Sequence, residues 1–266
     1  MNEKNLKKTN FKGLYGVLIA SVVIPAITFC VSLAVGYKSQ TINSTYTPFV
    51  SETGDQKPNS SIFTLGLSLS GMMTLVIIII RFYQVKFYFT DRIEYFSRIN
   101  QFSLICGITL VFGEFIVAAF QLSNVTPIHF LGAGMNFLGA VLYCGTQCYF
   151  TSKNPKPIFY FRVISTAIMA VSSMVFGVFM VPPLTRHNRN GENIAQTFEW
   201  ILVTCQLIFM LTFLHDFRRL EVEFRFKQID PQDSNNDKIS QDFDNDKKTF
   251  LSFTFFNGRK DYETIK

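Results

Sequence analysis

Residues 14–36, LYGVLIASVVIPAITFCVSLAVG, run for 23 positions without a charge. An α-helix rises about 1.5 Å per residue and the hydrocarbon core of a bilayer is about 30 Å thick, so roughly 20 apolar residues make one crossing. This run is too long for a signal-peptide core and no small-residue cleavage signature follows it. It reads as a retained membrane helix.

Runs of the same kind recur at Ile62–Ile80, Phe102–Leu122, Ile128–Phe150, Phe159–Val181 and Ile194–Leu214, the last entered through the polar stretch NGENIAQTFEW, residues 190–200. The composition agrees: the chain is 48% hydrophobic and holds 30 phenylalanines, which excludes an ordinary soluble domain. The ten-residue alternation of barrel strands is missing, and a lone segment in lipid has to satisfy its own backbone groups. The expected fold is all-α, a six-helix transmembrane bundle over residues 14–217 between an N-terminal segment (1–13) and a tail (218–266).

The net charge of +6 does not point to nucleic acid, because the basic residues alternate by side. The N-terminus, the second and fourth loops and the start of the tail carry fifteen, among them Lys7, Arg81, Arg98, Arg162 and Arg225; the first, third and fifth loops carry four, Lys38, Lys57, Arg186 and Arg189. That bias predicts both termini in the cytosol and the first loop in a lumen or outside. The bilayer is then the first partner.

All five cysteines lie inside the expected spans, so no disulfide framework is available. Cys144 and Cys148 share a helical face, yet no histidine or further cysteine stands at ligand spacing; they read as apolar packing, and neither metal nor cofactor is expected. In the fourth span Gly132, Asn136, Gly139 and Tyr143 recur at spacings of four, three and four, which predicts a close approach to another helix. Gly66 and Ser70 give the second span a weaker version of this pattern. Corresponding broken helices in two halves, the mark of a transporter, are not evident.

Glu114 stands out within LVFGEFIVAAFQ, residues 110–121, about 12 Å from the end of its span. A charged carboxylate at such depth costs at least about 2.5 kcal/mol, so protonation or pairing is expected. Asn136 and Gln206 reach similar depths. An interhelical hydrogen-bonded cluster of the three has two readings, a polar clasp and a proton-sensing or ligand-binding site. His129 and Glu199 begin the fourth and sixth spans near the same boundary. Histidine titrates near pH 6.5, so His129 is either a pH-responsive group or an interfacial hydrogen bond, while Glu199-Trp200 fits an acid in a first helical turn beside an interfacial anchor.

The first loop, TPFVSETGDQKPNSSIF over residues 47–63, is unusually particular. Pro48 and Pro58 restrict the backbone, Gly54 permits positive φ in a Thr-Gly-Asp turn, and Ser60 or Ser61 would cap the next helix. It is expected to be an ordered luminal loop over the helix ends, with Glu52 and Asp55 near His129 and Glu199 on an acidic surface. Three glycosylation sequons begin at Asn43, Asn59 and Asn124; Asn43 lies farthest from the membrane and is the candidate.

Beyond Arg219, LEVEFRFKQ (220–228) would continue the last helix, whereas IDPQDSNNDKISQDFDNDKK (229–248) has the composition of disorder. Tyr262-Glu-Thr-Ile265 fits a tyrosine-x-x-bulky sorting signal, in which an extended peptide adds a strand to an adaptor and fills two pockets with Tyr262 and Ile265.

PFVSETGDQKPNSSIF resembles the first luminal loop of the damage-regulated autophagy modulator (DRAM) family. GEFIVAAFQ (113–121), His129 with LGAG, Glu199-Trp200 and LTFLHDF (211–217) resemble further family motifs in the same order, so the resemblance runs from about Leu14 to Phe217. Ser61, Ala119 and Glu114 depart from it, standing where the family often has cysteine, asparagine and an apolar residue. The resemblance implies a non-enzymatic, glycosylated multipass protein of lysosomal or endosomal membranes that promotes autophagy, with a link to apoptosis and with autophagy partners. A second reading is a plasma-membrane adaptor that organises a phosphatidylinositol kinase complex through its basic loops and tail. A third is a transporter or lipid-modifying enzyme using Glu114, His129 and Glu199. No nucleophile, base and orienting group stand together in the sequence, which argues against an enzyme.

Overall fold

The computed structural model describes residues 7–11, 14–43, 45–89, 94–153, 157–180, 189–217 and 222–226. Among the described residues six helices are long and apolar enough to cross a membrane. They are α1 (Leu14–Lys38), α2 (Asn59–Phe89), α3 (Glu94–Ala119), α4 (Thr126–Ser152), α5 (Pro157–Phe179) and α6 (Arg189–Leu211), the last followed after Thr212 by the single turn α7 (Phe213–Phe217).

The helices overrun the apolar runs that announce them. α2 continues past Ile80 to Phe89, and α3 starts at Glu94, ahead of Phe102. Hydropathy marks only the stretch that lipid requires, whereas the i→i−4 ladder continues wherever the backbone can close it. The polar stretch before the sixth run is helical as well. It begins at Arg189, places Glu192 in its first turn, and turns Ala195, Gln196 and Glu199 inward.

Cross-helix contacts give the bundle its order. Ser70 meets Ser21 and Gly66 meets Thr28; Thr64 bonds the Ala118 carbonyl and Asn100 that of Phe82; Gly139 meets Leu110 and Gly132 meets Gly113. In each pair one number rises as the other falls, so successive helices run antiparallel. Thr166 near Cys148, Phe176 against Phe137, and Arg162 bonded to Thr212 extend the pattern through α5 and α6. The first and third loops, the end of α5 and the start of α6 therefore share one end of the bundle, called here the loop end.

The small-residue face of α4 meets α3 as its spacing predicts. A Cβ on Gly113 would strike the backbone of Gly132 and Asn136, and one on Gly139 would strike the backbone of Leu110 and Cys106. Such close approach maximises dispersion contact where lipid supplies no hydrophobic drive between helices. Gly134, on the opposite side of α4, has nothing within 4 Å. Large apolar side chains on α5 face outward in the same way, Met174 being 71% exposed.

The chain divides into two compact units, residues 16–215 and the two terminal segments 1–15 and 216–266. Within the terminal unit β1 (Lys7–Phe11) pairs antiparallel with β2 (Val222–Phe226), Lys7 opposite Phe226 and Phe11 opposite Val222. The six-helix part is all-α as expected, whereas the helix expected to continue through LEVEFRFKQ gives way to β2. The residues Val222-Glu-Phe-Arg-Phe226 alternate apolar and charged, which is the period of a strand and not of a helix. The acidic stretch 229–248 and the sorting motif with Tyr262 and Ile265 lie outside the described residues.

Candidate functional site

At the loop end, Ser51–Gly54 forms one 3-10 turn, and the residues before it insert into the bundle. Phe49 packs with Phe137, Phe176 and Leu202, while Val50 packs with Phe29, Phe63 and Leu67. Two adjacent side chains thus plug two separate apolar clusters. Inserting them also buries their backbone N–H groups, which need acceptors.

Two carboxyls provide these. Glu199 Oε2 accepts the Val50 N–H at 2.7 Å, and the Ser51 backbone and hydroxyl also donate to the Glu199 carboxyl. Glu52 Oε2 accepts the Phe49 N–H at 2.8 Å. The neighbouring Trp200 donates its indole N–H to the Pro48 carbonyl at 2.8 Å, and the Thr53 hydroxyl donates to the Val50 carbonyl at 2.7 Å. The pair Glu199-Trp200 is accordingly a clamp on residues 48–51, more than a helix-start acid beside a membrane anchor. Burial raises the pKa of Glu52 above the usual carboxylate value; the Phe49 N–H opposes this, and the charges of Glu192 and Asp55 add to it.

Asp55 Oδ1 accepts the Ser123 N–H at 2.7 Å, joining the first loop to the third. His129 Nδ1 lies 2.6 Å from the Phe120 carbonyl, an oxygen that can only accept, so Nδ1 carries a hydrogen. His129 and Glu199 are only 3% and 5% exposed, which corrects the expectation of an acidic surface containing them. The inserted residues bond Glu199, and His129 lines the cavity beneath them. The role expected of Gly54 changes too, because no glycine among the described residues has positive φ. A Cβ on Gly54 would fall inside the Phe63 ring, so glycine serves close packing there and not a left-handed turn.

Beneath the loop is a cavity of about 70 Å³ lined by α1, α2, α3, α4 and α6. Glu114, Asn136 and Gln206 all reach it, as their depths predict, together with Glu199 and His129. The hydrogen-bonded trio does not form. Asn136 Nδ2 donates to the Leu110 carbonyl at 3.0 Å, Glu114 faces the Ser70 hydroxyl, and Gln206 Oε1 has no hydrogen-bond partner among the described residues. Helix-backbone and α2 groups compete for these side chains, and sequence depth does not reveal which partner is nearer. All five cysteines are free, Cys148 lying 3.4 Å from the Thr166 hydroxyl, and no group of His, Cys, Asp and Glu that could hold a metal occurs among the described residues.

The opposite end holds a cluster that reading by loops missed. Arg81 is 7% and Arg162 0% exposed, although both were assigned to loops by charge. Arg81 donates to Gln147 at 2.9 Å and to Gln84 at 2.6 Å; Arg162 donates to the Thr212 hydroxyl at 2.8 Å and to Thr151 at 2.7 Å. Both guanidinium groups lie over Phe213, at 5.5 and 5.1 Å from its centroid. The available signal was the glutamines and threonines one or two turns along the facing helices, which can receive a guanidinium fork.

Residues 13–220 match the family model described as the Frag1/DRAM/Sfk1/Cwh43P N-terminal domain. Among named relatives, Transmembrane protein 150A of Homo sapiens is 26% identical over 64% of this chain and 61% of its own length. Modulator of macroautophagy TMEM150B of Danio rerio is 26% identical over 77% of this chain and 87% of its own length. DNA damage-regulated autophagy modulator protein 2 of Bos taurus is 22% identical over 66% and 73%. The chain therefore spans less than two thirds of the first of these relatives. No solved structure matches it.

Proposed function

Because this chain belongs to the Frag1/DRAM/Sfk1 family, we propose that it is a non-enzymatic multipass membrane modulator of autophagy in lysosomal or endosomal membranes. The observation that carries this reading is the alignment with a protein named as a modulator of macroautophagy, which extends over 77% of this chain and 87% of that relative. The site chemistry supports it. The hydrogen bond of His129 goes to the Phe120 backbone carbonyl, so that nitrogen is not held beside a nucleophile.

In this reading the termini and the arginine end face the cytosol, as fifteen basic residues against four require, and the clamped first loop faces the lumen as an ordered contact surface. Asn43 is the glycosylation site. Its side chain is exposed and its Oδ1 accepts the Thr45 N–H at 3.0 Å, whereas Asn59 is 1% exposed and closed to an enzyme. Tyr262 and Ile265 direct sorting through an adaptor, and autophagy proteins are the functional partners.

The test is expression of the tagged chain in cells that lack it. Lysosomal or endosomal residence and restored lysosome-dependent turnover of autophagosome membranes are expected, with Tyr262→Ala shifting the protein to the cell surface. Residence at the plasma membrane with unchanged turnover overturns the reading in favour of the lipid-kinase adaptor. Protease treatment of intact vesicles should remove a tag after Lys266 and spare one near Asp55; the reverse pattern refutes the orientation.

A further inference from the structure

Proline has no N–H, so Pro25 leaves the Ser21 carbonyl, four residues earlier on α1, without its helical donor. The Ser70 hydroxyl of α2 stands 3.4 Å from that oxygen, beyond the reach, about 3.0 Å, of a good O–H···O hydrogen bond. The Ser21 hydroxyl is engaged elsewhere, with the Leu18 carbonyl at 2.8 Å. Two oxygens from neighbouring helices thus lie close without a well-formed bond between them.

Helix register brings further oxygens to the same level. Gly71 packs against Phe115 and Thr64 bonds the Ala118 carbonyl, so Ser70 on α2 stands beside Glu114 on α3, whose carboxyl faces the Ser70 hydroxyl. Gly113 meets Asn136 across the α3–α4 contact, which sets Asn136 beside Glu114 as well. Asn136 commits its Nδ2 to the Leu110 carbonyl and keeps Oδ1 for another partner. Thr74 follows one turn along α2 from Ser70. All five residues are buried, and all line the cavity beneath the 48–51 turn.

Among the described residues no lysine or arginine lines this cavity, and His129, the basic side chain in its wall, is held by the Phe120 carbonyl. A carboxylate here needs a mobile positive charge to neutralise it. The oxygen spacing fits one. Neighbouring ligands of a six-coordinate cation with oxygen bonds of about 2.4 Å lie about 1.4 times that distance apart, roughly 3.4 Å, which is the Ser70–Ser21 separation.

We propose that the cavity binds one sodium ion between the Glu114 carboxylate, the Ser21 carbonyl, the Ser70 and Thr74 hydroxyls and Asn136 Oδ1, at the level where α1, α2, α3 and α4 meet. One carboxylate and several neutral oxygens form the ligand set of a hard cation, unlike the His and Cys ligands of a transition metal. Potassium makes longer bonds and spreads neighbouring oxygens farther apart. A divalent ion leaves an excess positive charge among the apolar walls of Leu110, Phe137 and Leu207. The carbonyl comes from the break at Pro25, just as interrupted helices supply carbonyls to ions inside other membrane proteins. The binding stands whether or not the chain modulates autophagy.

The experiment is thermal unfolding of the purified full chain in detergent, followed through Trp200, the one tryptophan of the sequence, in equal concentrations of sodium, potassium or N-methylglucamine chloride. Sodium is expected to raise Tm saturably, and the other two salts to give one common lower value. Glu114→Gln should abolish the sodium response, with Glu114→Met in its place should the glutamine variant fail to fold. Pro25→Ala returns an N–H to the Ser21 carbonyl; it should raise the half-saturating sodium concentration at least threefold while unfolding no lower than wild type in the sodium-free salt. Equal Tm in all three salts, a potassium response as large as that to sodium, or a sodium response left unchanged by either substitution each overturn the proposal.

Discussion

Glu199 Oε2 accepts the backbone N–H of Val50 at 2.7 Å across 149 positions of chain. One buried carboxyl on the sixth helix thereby holds the loop that joins the first helix to the second. Substituting Glu199 by alanine leaves a buried N–H unmatched, a cost of about 1–3 kcal/mol. Glu199→Gln keeps one acceptor and is expected to fall between alanine and wild type. Limited proteolysis by thermolysin at the Phe49–Val50 bond reads the effect directly, since the clamped loop resists cleavage and the alanine variant is cut faster. Equal cleavage rates in all three proteins refute the clamp.

Gly54→Ala tests the packing of the same loop from the other side. The added methyl meets the Phe63 ring, and relief requires the 3-10 turn or the α2 entry to shift, at about 1–3 kcal/mol. The expected result is a lower Tm with faster thermolysin cleavage at the Phe49–Val50 bond. Gly54→Ala combined with Phe63→Ala should lose less than the two single substitutions added together, because alanine removes the Cγ and Cδ1 atoms that the methyl strikes. A Gly54→Ala protein as stable as wild type contradicts the packing.

Two glycines on opposite faces of neighbouring helices make a matched comparison. Gly113→Ala places a methyl against the backbone of Gly132 and Asn136, which cannot rotate away, and should destabilise the α3–α4 contact by about 1–3 kcal/mol. Gly134→Ala enters open space and should be neutral, or stabilising by up to about 1 kcal/mol through helix propensity. Unfolding in mild detergent separates them, and equal stability of the two variants rules out the interhelical approach as drawn.

Glu52 links loop stability to pH. Its folded-state pKa lies above the ordinary value of 4.5 because burial disfavours its charge. A raised pKa means that the folded state holds the proton more tightly than the unfolded chain does, so this contribution is complete below about 4.5 and is lost as pH rises through the folded value. Loop protection should therefore decrease as pH climbs from about 4.5 toward neutrality, and Glu52→Gln should flatten that dependence. A Glu52→Gln protein whose pH profile of cleavage at the Phe49–Val50 bond matches wild type excludes Glu52 as the source.

Much of this architecture is written in local chemistry. Six apolar runs, each near the thickness of a bilayer, require six crossings whatever they pack against, because lipid leaves a backbone no other partner. The spacing of Gly132, Asn136 and Gly139 shows a face built for close contact, since helical periodicity alone places these residues together. The order of motifs from PFVSETG to Glu199-Trp200 carries the family. Tertiary structure alone decided which groups those residues meet. Glu114 faces Ser70 while Asn136 bonds the Leu110 carbonyl, Glu199 turns inward to the Val50 N–H, Gly54 accommodates Phe63, and Arg81 and Arg162 meet over Phe213. Depth along a helix is a one-dimensional quantity that sequence supplies. A hydrogen bond also depends on helix rotation, on close approach and on competing donors, and these are settled only when all the helices pack together.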